Sequence, residues 1–190
     1  MTHSIYPGIE VSYEVGLAGV KESIIIPVGP QHPCFPEPMR LDLSVDGERV
    51  VGADIIISFN HRGVEKALEA RTYIQNLYLV ERVCGICSHS HVTCYCQGVE
   101  EILGLEIPDR ARYIRTFIGE LERIQSHLFW VGTAGHETGW DTLLMYTWRD
   151  RERVNDMLEL ISGNRIHYAM NTIGGVRRGI REEDVGKLRK

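Results

Sequence analysis

Proline placement sets the strongest limit on how this chain can fold. Six of the seven prolines, Pro7, Pro27, Pro30, Pro33, Pro36 and Pro38, fall in the first 38 residues, and only Pro108 follows. Proline breaks helices and leaves a sheet ladder short of a donor, so the opening fifth reads as strands and loops and the remainder is free to be helical. Ile9 to Val15 and Ser23 to Val28 have the β-branched, apolar character of strands. Met39 to Val45 alternates apolar and polar, and Asp46-Gly47 separates it from the Val- and Ile-rich run Arg49 to Ile57, which predicts a hairpin across the Asp-Gly step. From Val64 the period changes: Ala67, Leu68, Tyr73, Ile74, Leu77 and Val80 recur at helical spacing. Behind Pro108, suited to a first helical turn, Ile114, Phe117, Ile118, Leu121, Ile124, Leu128 and Val131 form one apolar stripe. Asp141 is placed to cap a further helix carrying Leu144, Trp148, Met157, Leu158 and Ile161. The expected fold class is α+β, a small antiparallel β-sheet at the N-terminus packed on a mostly α-helical bundle, with residues 1–63 as the strand and hairpin region and 64–190 as the helical body. The helices carry more apolar stripe than such a body covers, which predicts a large exposed apolar surface and a larger folded unit.

Cysteine is the second constraint. Cys34 stands alone, while Cys84, Cys87, Cys94 and Cys96 fall within thirteen positions. The opening residues show no basic region followed by an apolar stretch, so no signal peptide is expected, and clustered reduced thiols point to metal or redox chemistry. A chain of 190 residues buries a core without disulfides, and no run reaches the ~18 to 20 apolar residues of a membrane span. Twenty-one basic against 26 acidic residues leave a net charge of −5, which argues against a nucleic-acid partner. Cys84-Gly85-Ile86-Cys87 is a C-x-x-C able to grip one metal, with Gly85 expected to let the backbone bend around it. If a helix begins at Cys84, then Cys84, Cys87, His91 and Cys94 share one face, at steps of three, four and three, and Cys96 points elsewhere. Two other readings stand beside this one: a self-contained Cys₄ zinc or iron–sulfur site, and free cysteines packed as small hydrophobes.

The flanking residues add a resemblance. Arg82-Val-Cys84-Gly85-Ile-Cys87-Ser-His-Ser-His91 resembles the R-x-C-G-x-C-x-x-x-H signature of nickel–iron hydrogenase large subunits. Gly29-Pro30-Gln31-His32-Pro33 and His61-Arg62-Gly63-Val64-Glu65-Lys66 resemble motifs shared by energy-converting, membrane-bound hydrogenases and the quinone-arm subunit of respiratory complex I. Arg71-Thr-Tyr-Ile-Gln-Asn and Gly174-Gly175-Val176-Arg177-Arg178 fit as well, so the resemblance runs from about Ile25 to Ile180. The complex I branch normally lacks the cysteine pair, which favours the hydrogenase branch.

The resemblance implies a Ni–Fe centre held by four cysteines, two from this motif and two from a C-terminal C-x-x-C. Cys84 would bind nickel terminally, Cys87 would bridge nickel and iron, and His91 would hydrogen-bond a bridging sulfur. This chain contains one C-x-x-C, so the other pair would come from a second half or a partner chain, and residues 64–190 would be an incomplete large-subunit domain. Glu37, in a proline-rich loop, matches the region of a glutamate that passes protons, and it joins Arg82 and His91 as a catalytic candidate. His32 matches a histidine that lies by the quinone headgroup in the complex I branch, which makes it a cofactor-binding candidate. The second histidine that often follows in that branch is absent, with Phe35-Pro36 near its place. The implied partners are an iron–sulfur small subunit carrying 4Fe-4S clusters, a C-terminal-half polypeptide and membrane-arm subunits. The implied location is peripheral, on the cytoplasmic side of the membrane. A second function fits the same motifs: a metal-free scaffold or coupling subunit of a sulfur-reducing or complex I-like assembly. Glu37 and His32 also read plainly as loop residues, and Arg149 to Arg153 as a solvated helix face with internal pairing.

Overall fold

The structure, a computed structural model, describes residues 24–35 and 37–188. The expected strand at Ile9 to Val15 lies outside them. The chain divides at Arg62–Gly63 into two compact units. In the first, β1 (Ile24–Val28), β2 (Arg40–Asp46) and β3 (Arg49–Ile56) form an antiparallel sheet in the order β1-β2-β3. The Asp-Gly step does what its chemistry suggests: Asp46 pairs with Arg49, and Gly47 takes φ 61°, a left-handed conformation that glycine adopts without steric cost. A register shift lies between Ser44 and Val45, and Val45 is the buried hydrophobic among the unit's described residues. At the sheet's other end Gly29 has φ 98°, and a Cβ there would lie 2.1 Å from the carbonyl oxygen of Met39. Glycine is required because the loop leaving β1 passes against the backbone entering β2.

The second unit is helical: α1 (Val64–Glu69), α2 (Tyr73–Glu81), α3 (Ser88–Leu103), α4 (Asp109–Glu137), α5 (Asp141–Ser162), a short hairpin of β4 (Asn171–Thr172) and β5 (Gly175–Val176), and α6 (Glu182–Leu188). The fold class is therefore α+β, as the proline distribution and hydrophobic periods imply. Three details differ from the sequence reading. The periodic run from Val64 is two helices, because Thr72 caps α2 in a reciprocal box with Gln75 and interrupts the first helix. Pro108 is the cap residue of α4 rather than a first-turn residue. Trp140 occupies the cap of α5, and Asp141, the first helical residue, bonds instead to His136 Nδ1 at 2.7 Å.

Two cores hold this unit. Ile114, Ile118 and Leu121 of α4 meet Val154, Leu158 and Ile161 of α5, with Tyr168 and Met170 closing the cluster. Leu77 and Val80 of α2 pack on Val92 and Cys96 of α3. The apolar stripe read along α4 is only partly buried: Phe117 and Ile124 are exposed, and so are Tyr113 and Trp130. On the α5 side Trp140, Met145 and Tyr146 are exposed as well. Among the described residues no helix is long and apolar enough to cross a membrane.

The α4–α5 hairpin closes tightly on two glycines. A Cβ at Gly132 would lie 2.5 Å from Thr147 Oγ1 and one at Gly135 3.0 Å from Leu143. The Gly132→Ala substitution must push the helices apart, and it is expected to destabilise the chain by about 1–3 kcal/mol. Thermal or urea unfolding checks this, with Gly98→Ala, where a Cβ meets open space, as the control.

Candidate metal centre

The cysteine pair sits on the corner between α2 and α3. α2 stops at Glu81; the Arg82 N–H closes onto the carbonyls of Leu79 and Val80, and Arg82 Nη1 donates to Tyr78 O at 2.8 Å. The chain then turns through Cys84 to Cys87, and α3 begins at Ser88 with Cys87 as its N-cap. The expectation that a helix starts at Cys84 is thus corrected: Cys84 lies in the turn. Gly85 does not use a positive φ, and a Cβ there would meet only Ile166 at 3.9 Å, so the turn does not depend on its glycine. Both thiols are half-buried. Cys84 Sγ also accepts from the Ile86 N–H at 3.3 Å.

A helix N-terminus ordinarily favours thiolate. Here burial, then the neighbouring Cys84 thiol, then the charge of Glu122, push the Cys87 thiol up to about 12.

Four anchors hold the corner. Glu122 on α4, 2% exposed, accepts at Oε1 from Ser88 Oγ (3.2 Å) and the His89 N–H (2.7 Å), and at Oε2 from the Ser90 N–H (3.1 Å) and Ser90 Oγ (3.0 Å). Ser88 Oγ also lies 2.7 Å from Ile166 O. Gln125 Nε2 donates to Ile86 O at 3.4 Å, while its Oε1 accepts from Arg151 Nε at 2.8 Å. Arg151 therefore faces inward, unlike the solvated helix face read from its charged neighbours. Glu81, 2% exposed, accepts from the Ala169 N–H at 2.6 Å. Burial raises its carboxyl above the ordinary range, against the lowering effect of the Ala169 N–H.

A buried ion pair braces the next layer. Arg115 forks onto Glu100 at 3.0 and 2.6 Å and donates to Gly175 O at 2.8 Å and Thr172 O at 2.9 Å. The Gly174 N–H donates to Glu100 Oε1 at 2.8 Å, and His89 Nε2 lies 2.9 Å from Arg115 O. The Gly-Gly-Val-Arg-Arg stretch is thereby tied to α3 and α4. Burial would raise the Glu100 carboxyl, but the Arg115 fork and the Gly174 N–H together hold it below its ordinary value.

His91, half-exposed, donates its backbone N–H to Cys87 O at 3.2 Å, the first bond of the helix. Cys94 is exposed, and Cys96 is buried in the α2–α3 core. Among the described residues no three His, Cys, Asp or Glu side chains are placed together to hold a metal ion, so the four cysteines do not form a Cys₄ site. Beside Cys87 a cleft of about 560 Å³ opens between α3 and α4, lined by Ser90, Thr93, Cys94, Arg112 and His127 among others. In the first unit, His32 Nδ1 accepts from the Cys34 N–H at 3.3 Å within its own turn, and exposed Glu37 accepts from Asn60 Nδ2.

Glu122, Gln125, Glu81 and the Arg115–Glu100 pair are absent from the sequence reading. A signal existed for two of them: Glu122 and Gln125 interrupt the side of α4 where Ile114, Ile118 and Leu121 are buried, a place where a polar residue needs a specific partner.

Comparison with known proteins places this half-buried dithiol, on a helix–helix corner braced by buried carboxylates, in an oxidoreductase family. Residues 62–132 match the family described as nickel-dependent hydrogenase, and residues 137–190 match the 49 Kd subunit of respiratory-chain NADH dehydrogenase. The membrane-bound hydrogenase subunit alpha of Pyrococcus furiosus is 53% identical over 158 residues, covering 83% of this chain and 37% of that protein. An NADH-quinone oxidoreductase subunit of Acidovorax sp. is 44% identical over 152 residues, covering 80% of this chain and 36% of that protein. The structure of the membrane-bound sulfane sulfur reductase, an archaeal respiratory membrane complex, superposes with a TM-score of 0.82 at 33% identity, over 88% of this chain and 45% of that one. The chain thus spans less than half the length of these relatives. The chain is thus related both to nickel-dependent hydrogenases and to complex I subunits, consistent with a complex I-related hydrogenase large subunit.

The Glu100–Arg115 pair yields a prediction. Glu100→Gln leaves a buried guanidinium without its counter-charge and is expected to cost about 3–5 kcal/mol. Because the folded Glu100 carboxyl titrates below its ordinary 4.5, its stabilisation is complete above that value and is lost as pH falls through the folded value. Unfolding measured from pH 7 downward should therefore steepen below about pH 4.5 in the unmodified chain and less so in Glu100→Gln.

Proposed function

We propose that this chain supplies two of the cysteine ligands of a Ni–Fe centre in a membrane-associated, hydrogen-converting oxidoreductase, with Cys84 and Cys87 as the ligands. One observation carries the reading: Cys84 and Cys87, both half-buried, share the α2–α3 corner inside the segment that matches the nickel-dependent hydrogenase family. The donor set fits in kind, since soft thiolates suit nickel and iron, and it fits in number as half of a four-thiolate site. The second pair would come from the remaining length by which the relatives exceed this chain, or from a partner polypeptide.

Such a centre, when bound, supplies the heterolytic making and breaking of H₂. This chain's own residues do the rest. Cys84 and Cys87 would hold the metals at Sγ, Cys87 from the cap of α3 and Cys84 from the turn before it. The buried framework of Glu122, Gln125 and Glu81 would hold the turn that carries both sulfurs. His91, one helical turn beyond Cys87, would donate a hydrogen bond toward a bridging sulfur, and Arg82 would fix the approach from α2. Glu37 would carry the proton, a task for which a loop carboxylate can rotate between partners. Electrons would pass to 4Fe-4S clusters of an iron–sulfur partner subunit, in an assembly peripheral to a membrane arm.

A second reading is favoured by a different observation. The C-terminal stretch matches the NADH dehydrogenase 49 Kd subunit, and the superposable structure belongs to a sulfane sulfur reductase. In that reading the chain is a coupling scaffold that binds no nickel.

Metal analysis and H₂/D⁺ exchange on the purified complex decide between the two. Nickel is expected in the unmodified complex and absent from Cys84→Ser and Cys87→Ser, each without exchange activity. Glu37→Gln should keep its metal and lose turnover. Cys94→Ser and Cys96→Ala should retain nickel, because neither side chain joins the pair. A complex without nickel, or full exchange in Cys84→Ser, sinks the hydrogenase reading and leaves the scaffold.

A further inference from the structure

A helix needs acceptors for the N–H groups of its first turn, and a Ser, Thr, Asp or Asn at the cap supplies one from its own side chain. α3 has Cys87 at this position and makes no side-chain cap bond. Sulfur is a weak acceptor, and a sulfur committed to a metal has less still to offer the backbone. The demands of ligation and of capping therefore conflict at one residue.

Glu122 resolves the conflict from another helix. Its two oxygens accept from the N–H groups of His89 and Ser90, the second and third residues of α3 and the donors that a cap side chain would serve. Two further bonds from Ser88 Oγ and Ser90 Oγ complete four around a carboxylate that is 2% exposed, and among the described residues no ion pair is made to it. Its charge is held by the helix N-terminus itself.

We propose that Glu122 is the positioning residue of the Cys84–Cys87 pair: a cap supplied in trans, which fixes the first turn of α3 so that Cys87 is free to ligate. The proposal rests on the paired-thiol reading above and extends it to a residue that touches neither metal nor substrate. Glu122 is buried in α4 between Leu121 and the next turn's Gln125, so the position of the sulfurs is set by the same helix that forms the main core.

The test reads sulfur placement directly. In the full chain carrying Cys34→Ser and Cys94→Ser, which removes the exposed thiols, phenylarsine oxide is titrated. Its arsenic forms two As–S bonds, the oxygen leaves as water with the two thiol protons, and no atom changes oxidation state. One equivalent is expected to bind, and none when Cys84→Ser is added. Glu122→Gln keeps size and one accepting oxygen but turns an amide N–H₂ toward the other donor. It should lower arsenical affinity about 10- to 100-fold and speed amide exchange at His89 and Ser90 selectively. Ser90→Ala removes one of the four bonds and should shift affinity the same way by less, which keeps the test available should Glu122→Gln fail to fold. Unchanged affinity in Glu122→Gln overturns the proposal, as does exchange that rises uniformly along α3 and α4. A nickel-free complex would sink the hydrogenase reading and leave this result intact, because the arsenical reports thiol geometry alone. A parent chain that captures no arsenical overturns the paired geometry and this proposal with it.

Discussion

The helical unit depends on one buried guanidinium. Arg115 uses its fork on Glu100, its remaining donors on the carbonyls of Thr172 and Gly175, and its own backbone carbonyl on His89. Three parts of the chain far apart in sequence, α3, α4 and the β4–β5 hairpin, are thereby fixed to one planar group. A buried charge is costly unless it is fully paired, and here every partner is itself held by regular structure. The arrangement is all-or-none: the hairpin cannot leave without stranding Arg115, and Arg115 cannot move without releasing His89 beside the cysteine turn. The core contacts of α4 and α5 supply most of the burial, but this pair gives α3 its place against them.

The sequence makes the fold class legible because proline and hydrophobic period act locally. The Asp46-Gly47 turn, the strand register it sets and the helical run after Val64 all follow from the preferences of a few neighbouring residues. Boundaries are less legible where two local signals compete. Thr72 and Gln75 form a capping box inside what reads as one periodic segment, and the box wins because it satisfies two N–H groups at once. At Cys84 the helical spacing of thiols and imidazole suggests an early start. The chain turns there instead, because α2 has already ended on Arg82 and both thiols take their place in the turn.

The candidate site is legible as a pair and not as a setting. The C-x-x-C and its flanking residues point to the family, since they are contiguous in sequence. Glu122, Gln125 and Glu81 reach the same corner from elsewhere: Glu122 lies 35 positions beyond Cys87, and Ala169 lies 88 beyond Glu81. No local period announces such contacts. The trace they leave is negative, a polar residue where a helix should show an apolar one.

Cys96 shows how position alone separates cysteines of the same short segment. It is fully buried between α2 and α3, and burial raises its thiol to about 11. It is thus chemically silent while those two helices stay together and reactive once they part. The molecule carries its own clock for that motion: under conditions where the exposed thiols are spent at once, the slow modification of Cys96 counts the moments at which the floor beneath the cysteine turn opens.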